Sequence, residues 1–454
     1  MAFKNFLSVA GGMLIVLQAG LAQAPTSDAE AQLKDAIQRI DSLAKQVAAQ
    51  DARIRELEAE RGLQPSATVA SPAAPVPASA PAPDTTPAPA PQIASMSGGD
   101  MGGHNMAIPG GPVLNIRGFF DFNFGVGSIA NPLVFPIVAD GCGTCGNPLT
   151  APHTSFQAGE FDLFMSSKLS DHLSFLAEIV LGPDATNVFG PDIERYQLTY
   201  RVNRYFSASA GRFHTSIGYY NTAYHHGNWF STAEGRPIMY LFEDSGGILP
   251  VHMVGLSFTG AVPGTDAIGL HWVAEVGNGL ASHSNVAESV QNFYSDRNYK
   301  ATNLAVYIKP QAVPGLQIGG SWYHDVLYPV PLPGVTQNIG SVYAVYFSSE
   351  WEFLNEGVLL SNRLAGNPEP FRSPMAYTQV ARKFGIYKPY FRYQYVNDKY
   401  NDPVNLLEGK YYGPSVGVRV DFAEYAAFKL QYNHLYESRQ LAGNGLNGQI
   451  AFTF

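Results

Sequence analysis

From residue 113 onward, apolar and polar residues alternate with a period of two. In Leu114–Phe124 the even positions are mostly apolar, while Asn115, Arg117, Asp121 and Asn123 hold odd ones; at the far end Ile450, Phe452 and Phe454 alternate with Gln449, Ala451 and Thr453. This period places successive side chains on opposite faces of a sheet. The alternating runs are about ten residues long, the length a tilted strand needs to cross a bilayer. Sixteen such runs begin near residues 113, 154, 172, 192, 204, 250, 267, 297, 315, 338, 350, 372, 388, 409, 425 and 446. Their connections alternate in length. Short ones fall at 170–171, 202–203, 261–266, 310–314, 348–349, 385–387 and 423–424. Mostly longer ones fall at 128–153, 183–191, 215–249, 278–296, 326–337, 363–371, 398–408 and 439–445. Lipid offers no hydrogen bonds, so a spanning sheet must close on itself. The pattern therefore predicts an all-β fold over 113–454: a transmembrane antiparallel β-barrel of about 16 strands, with short turns on one rim and long loops on the other. Tyr205, Phe206, Tyr387, Tyr390, Tyr411 and Tyr412 are candidates for its interfacial aromatic girdles.

The segments before residue 113 read differently. Residues 1–22 have the form of a secretory signal: Lys4, an apolar stretch from Phe6 to Leu17, then small residues, with cleavage expected after Ala22 because Pro25 disfavours the alternative after Ala24. Over 28–62, Leu33, Ile40, Val47 and Ile54 recur every seven residues, with Ala36, Leu43, Gln50 and Leu57 in the second seam position. That spacing predicts a short α-helical coiled coil; a lone amphipathic helix on a surface is the other reading. Residues 63–112 form a Pro/Ala- and then Gly-rich linker whose spaced prolines forbid helix and favour an extended chain.

Composition sharpens this division. Charged residues make up 14% of the 454, well below the roughly 25% of soluble domains. All four Trp and all 25 Tyr lie beyond residue 190. The net charge of −9 leaves no basic footprint for nucleic acid. Neither a phosphate-binding loop nor a His-Glu-x-x-His helix occurs, so no enzyme and no cofactor is expected.

Together the signal segment, the alternating strands and the terminal Gln449–Phe454 run resemble Gram-negative outer-membrane porins. The resemblance implies that Phe454 ends a carboxyl-terminal aromatic strand read as an insertion signal by the barrel-assembly machinery. It also implies a homotrimer in outer-membrane lipid, with the coiled coil in the periplasm as in porins that carry a helical extension. The function implied is passive diffusion of small hydrophilic solutes or ions through a water-filled lumen. The alternative is a structural tether to the periplasm or cell wall, or a surface adhesin.

Parity assigns lumen-facing charges of both signs: Arg117, Asp121, Glu160, Asp162, Arg195, Arg201, Arg212, Arg392, Arg419, Asp421 and Lys429. The 215–249 connection is the longest, and loops of such length are usually functional. It carries Tyr219, Tyr220, His225, His226, Glu234, Arg236, Glu243 and Asp244. It is the third long loop, which in porins folds into the lumen as a constriction, so wall bases facing loop carboxylates would set up a transverse field. His214, His225, His226 and His252 leave open a metal reading beside one of pore lining or loop packing; no metal is expected. Cys142 and Cys145 lie on the first long loop, where a small disulfide suits an exported chain; metal binding and free thiols remain open.

Overall fold

The computed structural model describes residues 104–107, 112–127, 154–183, 189–224, 227–241, 247–280, 295, 297–328, 332–405, 409–438 and 443–454, with Lys45. The chain divides into two compact units, 1–84 and 85–454. The signal segment, the coiled coil and most of the linker lie outside the described residues; within the coil Lys45 alone is described, helical and exposed. Cys142 and Cys145 are likewise outside them.

Seventeen strands follow in order among the described residues: β1 (His104–Ala107), β2 (Val113–Gly127), β3 (Thr154–Lys168), β4 (Leu173–Pro183), β5 (Phe189–Asn203), β6 (Phe206–His214), β7 (His252–Ala261), β8 (Leu270–Asn278), β9 (Ala301–Ile308), β10 (Leu316–Leu327), β11 (Val335–Phe347), β12 (Trp351–Leu364), β13 (Phe371–Arg382), β14 (Tyr387–Asp398), β15 (Gly409–Ala423), β16 (Ala426–Glu437) and β17 (Gly443–Thr453). From β2 to β17 each strand pairs antiparallel with its neighbour in sequence, and β17 closes on β2, with Phe452 opposite Phe120. The result is a closed barrel of 16 strands. β1 is the addition to expectation. It lies within the segment read as linker and pairs with the start of β2, His104 opposite Ile116 and Ala107 opposite Val113.

Local chemistry sets the short turns. The Asn203 side chain accepts from the backbone N–H of Tyr205 and Phe206, at 2.8 and 3.1 Å. Ser348 Oγ accepts from Trp351 N–H at 2.9 Å. Each side chain substitutes for a backbone turn bond and lets the chain reverse between strands.

The outward positions form an apolar surface in which Leu304, Val306, Val342, Leu359 and Val416 are all exposed, while the inward positions carry buried polar groups such as Asn303, Gln337, Gln379, Gln431 and Asn433. Apolar-out, polar-in alternation is the arrangement of a barrel in lipid. Among the girdle candidates, Phe206 and Tyr387 face outward, and Tyr412 stacks on Tyr436 with ring centroids 5.0 Å apart. Tyr390 and Tyr411 are buried inside instead. Residues an odd number apart on one strand point to opposite faces, so Tyr387 and Tyr390 cannot share one, nor can Tyr411 and Tyr412. Phe454 extends β17: its N–H and C=O exchange 3.0 Å bonds with Gly118, and its ring occupies the space a side chain at Gly118 would need.

Candidate functional site

The connection between β6 and β7 returns along the inner wall. It leaves at Thr215, makes one turn of helix at Tyr220–Ala223, a 3-10 turn at Ile238–Tyr240, and rejoins β7 through Leu249 and Val251. Ile217, Tyr220, Ile238, Met239, Tyr240, Ile248 and Leu249 are buried against Tyr323, Ile339, Leu354, Val358, Met375 and Tyr377, which come from the inner faces of β10–β13. Tyr220 stacks on Tyr240 at 5.6 Å. Phe230 meets Phe119 of β2 at 4.8 Å. The apolar positions facing into these strands are what the loop covers.

Polar groups fix its path at defined points. Glu356, on β12, accepts from four donors: Tyr219 N–H (2.7 Å), Tyr220 N–H (2.9 Å), Tyr240 Oη (2.7 Å) and Tyr377 Oη (2.6 Å). Burial, then the adjacent Glu356 carboxylate, pushes the Tyr240 hydroxyl well up, so it remains a donor. Gly218, at φ +74°, makes the turn into this contact, where a side chain would strike Tyr240 and Glu356. Four residues along β12, Glu352 binds Thr232 Oγ1 (2.6 Å) and pairs with Lys388 (2.6 Å).

The predicted lumen bases divide by role. Arg392, Arg419 and Lys429 are all at least nine-tenths buried and hold the loop's main chain. Arg392 Nη1 donates to Gly235 O (3.0 Å), Arg419 Nη1 to Ser231 O (2.9 Å), and Lys429 Nζ to Asn228 O (2.5 Å) and Ser231 Oγ (3.1 Å). Arg419 also lies 4.8 Å from the Trp229 ring and binds Asp421 at 2.7 Å. Among the described residues the hydrogen bonds of these cations to the loop go to its carbonyls and to Ser231 Oγ, with the Glu234 carboxylate nearby. Glu234 accepts from two amides, Asn447 (3.1 Å) and Gln431 (3.3 Å). Burial pushes its carboxyl up; the Asn447 bond, then Lys429 and Arg392, oppose that. Arg236 donates to Tyr240 O (2.7 Å) and lies 5.5 Å from the Tyr220 ring. Glu234, Arg236, Arg392, Gln394 and Gln431 line one small niche beside the loop.

Away from the loop's main anchors, Arg195 pairs with Glu178 at 2.5 Å. Asp162 and Arg212 are buried, and Arg212 Nε donates to Glu194 O at 2.7 Å. Asp121 accepts from Asn228 (3.0 Å) and from Glu160 N–H (3.2 Å). Arg117 is half-buried, and Arg201 is exposed beside the short turn at 204–205. His225, His226, Glu243 and Asp244 lie outside the described residues.

Sequence reasoning missed Glu194, Glu352 and Glu356. Glu194 follows Ile193, which faces outward, and precedes the inward Arg195: it is the extra residue of a β-bulge on β5, opposite Glu178 and Ile179 of β4, and the alternation breaks there. Glu352 and Glu356 share parity with Leu354 and Val358, so the inner face of β12 looks apolar in sequence. Their four-residue spacing on one strand face was the available signal.

No protein-family model matches the chain, and no curated protein sequence matches it. Solved structures do. The outer membrane channel DcaP of Acinetobacter baumannii superposes with a TM-score of 0.54 at 10% identity, covering 78% of this chain and all of that one. OmpF of Salmonella typhi, solved in complex with daunomycin, gives 0.51 at 8% identity, covering 77% of this chain and all of that one. The chain has the fold of an outer-membrane porin-like β-barrel.

Proposed function

We propose that this chain is an outer-membrane porin through which small hydrophilic solutes or ions diffuse passively. Its lumen is narrowed by the 215–249 segment, and it works as a homotrimer in outer-membrane lipid. The observation that carries this reading is the docked loop. A barrel of sixteen strands is wide enough for an aqueous lumen, and a segment held to the inner wall by Glu356, Arg392, Arg419 and Lys429 is placed to narrow it. Polar inner residues and an apolar outer face support a water-filled interior in a lipid surround. Selectivity then depends on the charges left facing the passage.

Planar-bilayer recording with purified protein tests the proposal. Stepwise conductance is expected, rising when 227–240 is replaced by a short Gly/Ser link. A protein that inserts yet gives no conducting steps in either form rules the reading out. Reversal potentials in a salt gradient then give the sign of the selectivity.

A further inference from the structure

At the root of the loop three potential ligands come together. His214 is the last residue of β6 and His252 the first of β7, and they sit directly opposite each other in the ladder. Glu194 lies on β5, two residues beyond Tyr196, where the ladder with β6 reaches Arg212, and Arg212 Nε donates to the Glu194 carbonyl at 2.7 Å. One residue from each of three adjacent strands thus meets the others inside the barrel. The Glu194 Oε2 to His252 Nε2 distance is 2.8 Å, and the two imidazole rings are 4.9 Å apart. One ligand atom from each of the three lies within 4.8 Å of the others, and all three residues are buried.

The surroundings are rigid. His214 Nδ1 lies 2.9 Å from Asn221 O. A carbonyl only accepts, so Nδ1 carries the proton and Nε2 the lone pair. A ligating imidazole is oriented in the same way by its other nitrogen. The Asn221 side chain in turn donates to Thr215 O (2.8 Å) and Val251 O (3.0 Å), tying the two ends of the loop together. The β-bulge that interrupts the alternation at Glu194 turns that carboxylate inward.

We infer that Glu194, His214 and His252 form a binding site for a divalent transition-metal ion, with Zn2+ the best-matched cation. Two imidazoles and one carboxylate are a known zinc ligand set, with a further position left for water. An ion here bridges the strand before the loop, the strand after it and β5, and so fixes the loop at its root. The site does not depend on whether the barrel conducts.

The test is zinc binding to the full chain purified in detergent, read by metal content after dialysis against Zn2+ and by titration calorimetry. Wild-type protein should retain a bound ion, and Glu194→Gln and His252→Gln, checked for folded-barrel migration on electrophoresis, should each lose it. Retention of the ion by folded Glu194→Gln overturns the site, because surface histidines would then be the binders; so does wild-type protein that binds none. If neither variant folds, Co2+ added to the wild-type barrel decides. Visible ligand-field bands abolished by excess Zn2+ support the site, and their absence overturns it.

Discussion

Individual side chains decide whether the loop stays on the wall. Glu356 gathers four donors in a buried place. An amide there keeps the shape but halves the acceptor capacity and turns an NH2 toward N–H and O–H groups. Each buried donor left unmet costs about 1–3 kcal/mol. Glu356→Gln should therefore free the first turn of the loop, seen as faster protease cleavage within 215–249 on an otherwise intact barrel. Lys429→Met removes the partner of Asn228 O and Ser231 Oγ and should weaken docking by a similar amount at the other end. Glu234 adds a pH dependence. Burial raises its folded-state pKa above the ordinary 4.5, so the folded loop holds a proton that the released loop has given up. Docking is then fully favoured below about pH 4.5 and weakens as pH rises through the folded value. Protease sensitivity of the loop should increase over that interval, and Glu234→Gln, fixed in the neutral form, should flatten the profile.

At the scale of elements, strands were legible because two-residue alternation survives wherever the inner face meets water and the outer face lipid. It fades where that contrast is lost. The inner faces of β11 and β12 carry Ile339, Tyr343, Leu354 and Val358 under the loop, so both faces read as apolar and the inward carboxylates between them go unnoticed. At Glu194 a bulge, a property of strand pairing rather than of local sequence, shifts the phase. Loop length pointed to function, but its path depends on contacts with residues more than a hundred positions away, such as Gly218 N–H on Ser341 Oγ. β1 was missed for another reason: four residues among glycines make too short a run to alternate visibly. Its role follows from the seam. β17 covers β2 from Phe119 to Gly127, Phe454 covers Gly118, and β1 covers Val113–Ile116. Deleting His104–Ala107 should leave those last backbone groups without partners at the membrane edge, where each is costly. The unfolding temperature of the detergent-solubilised barrel should fall, while removal of residues 25–103 should not lower it.

That contrast defines what the whole molecule needs. With β1 added, the closed ladder from β2 to β17 has its backbone covered along the seam, and among the described residues the loop's anchors are barrel residues. Among the described residues, β1 is the part of the segment before Val113 that joins this arrangement. A chain lacking 25–103 but keeping β1 should thus give the single-channel conductance of the full-length protein. The heptad segment should matter for assembly instead. Helices tethered to neighbouring barrels meet at high effective concentration, and a paired seam adds to whatever contact the barrels make with each other. The truncated protein should accordingly release monomers at a lower temperature on semi-native electrophoresis, with unchanged conductance below that point. If conductance changes while the oligomer's thermal stability does not, the amino-terminal segment belongs to the pore, and this division between a self-sufficient barrel and an assembling arm fails.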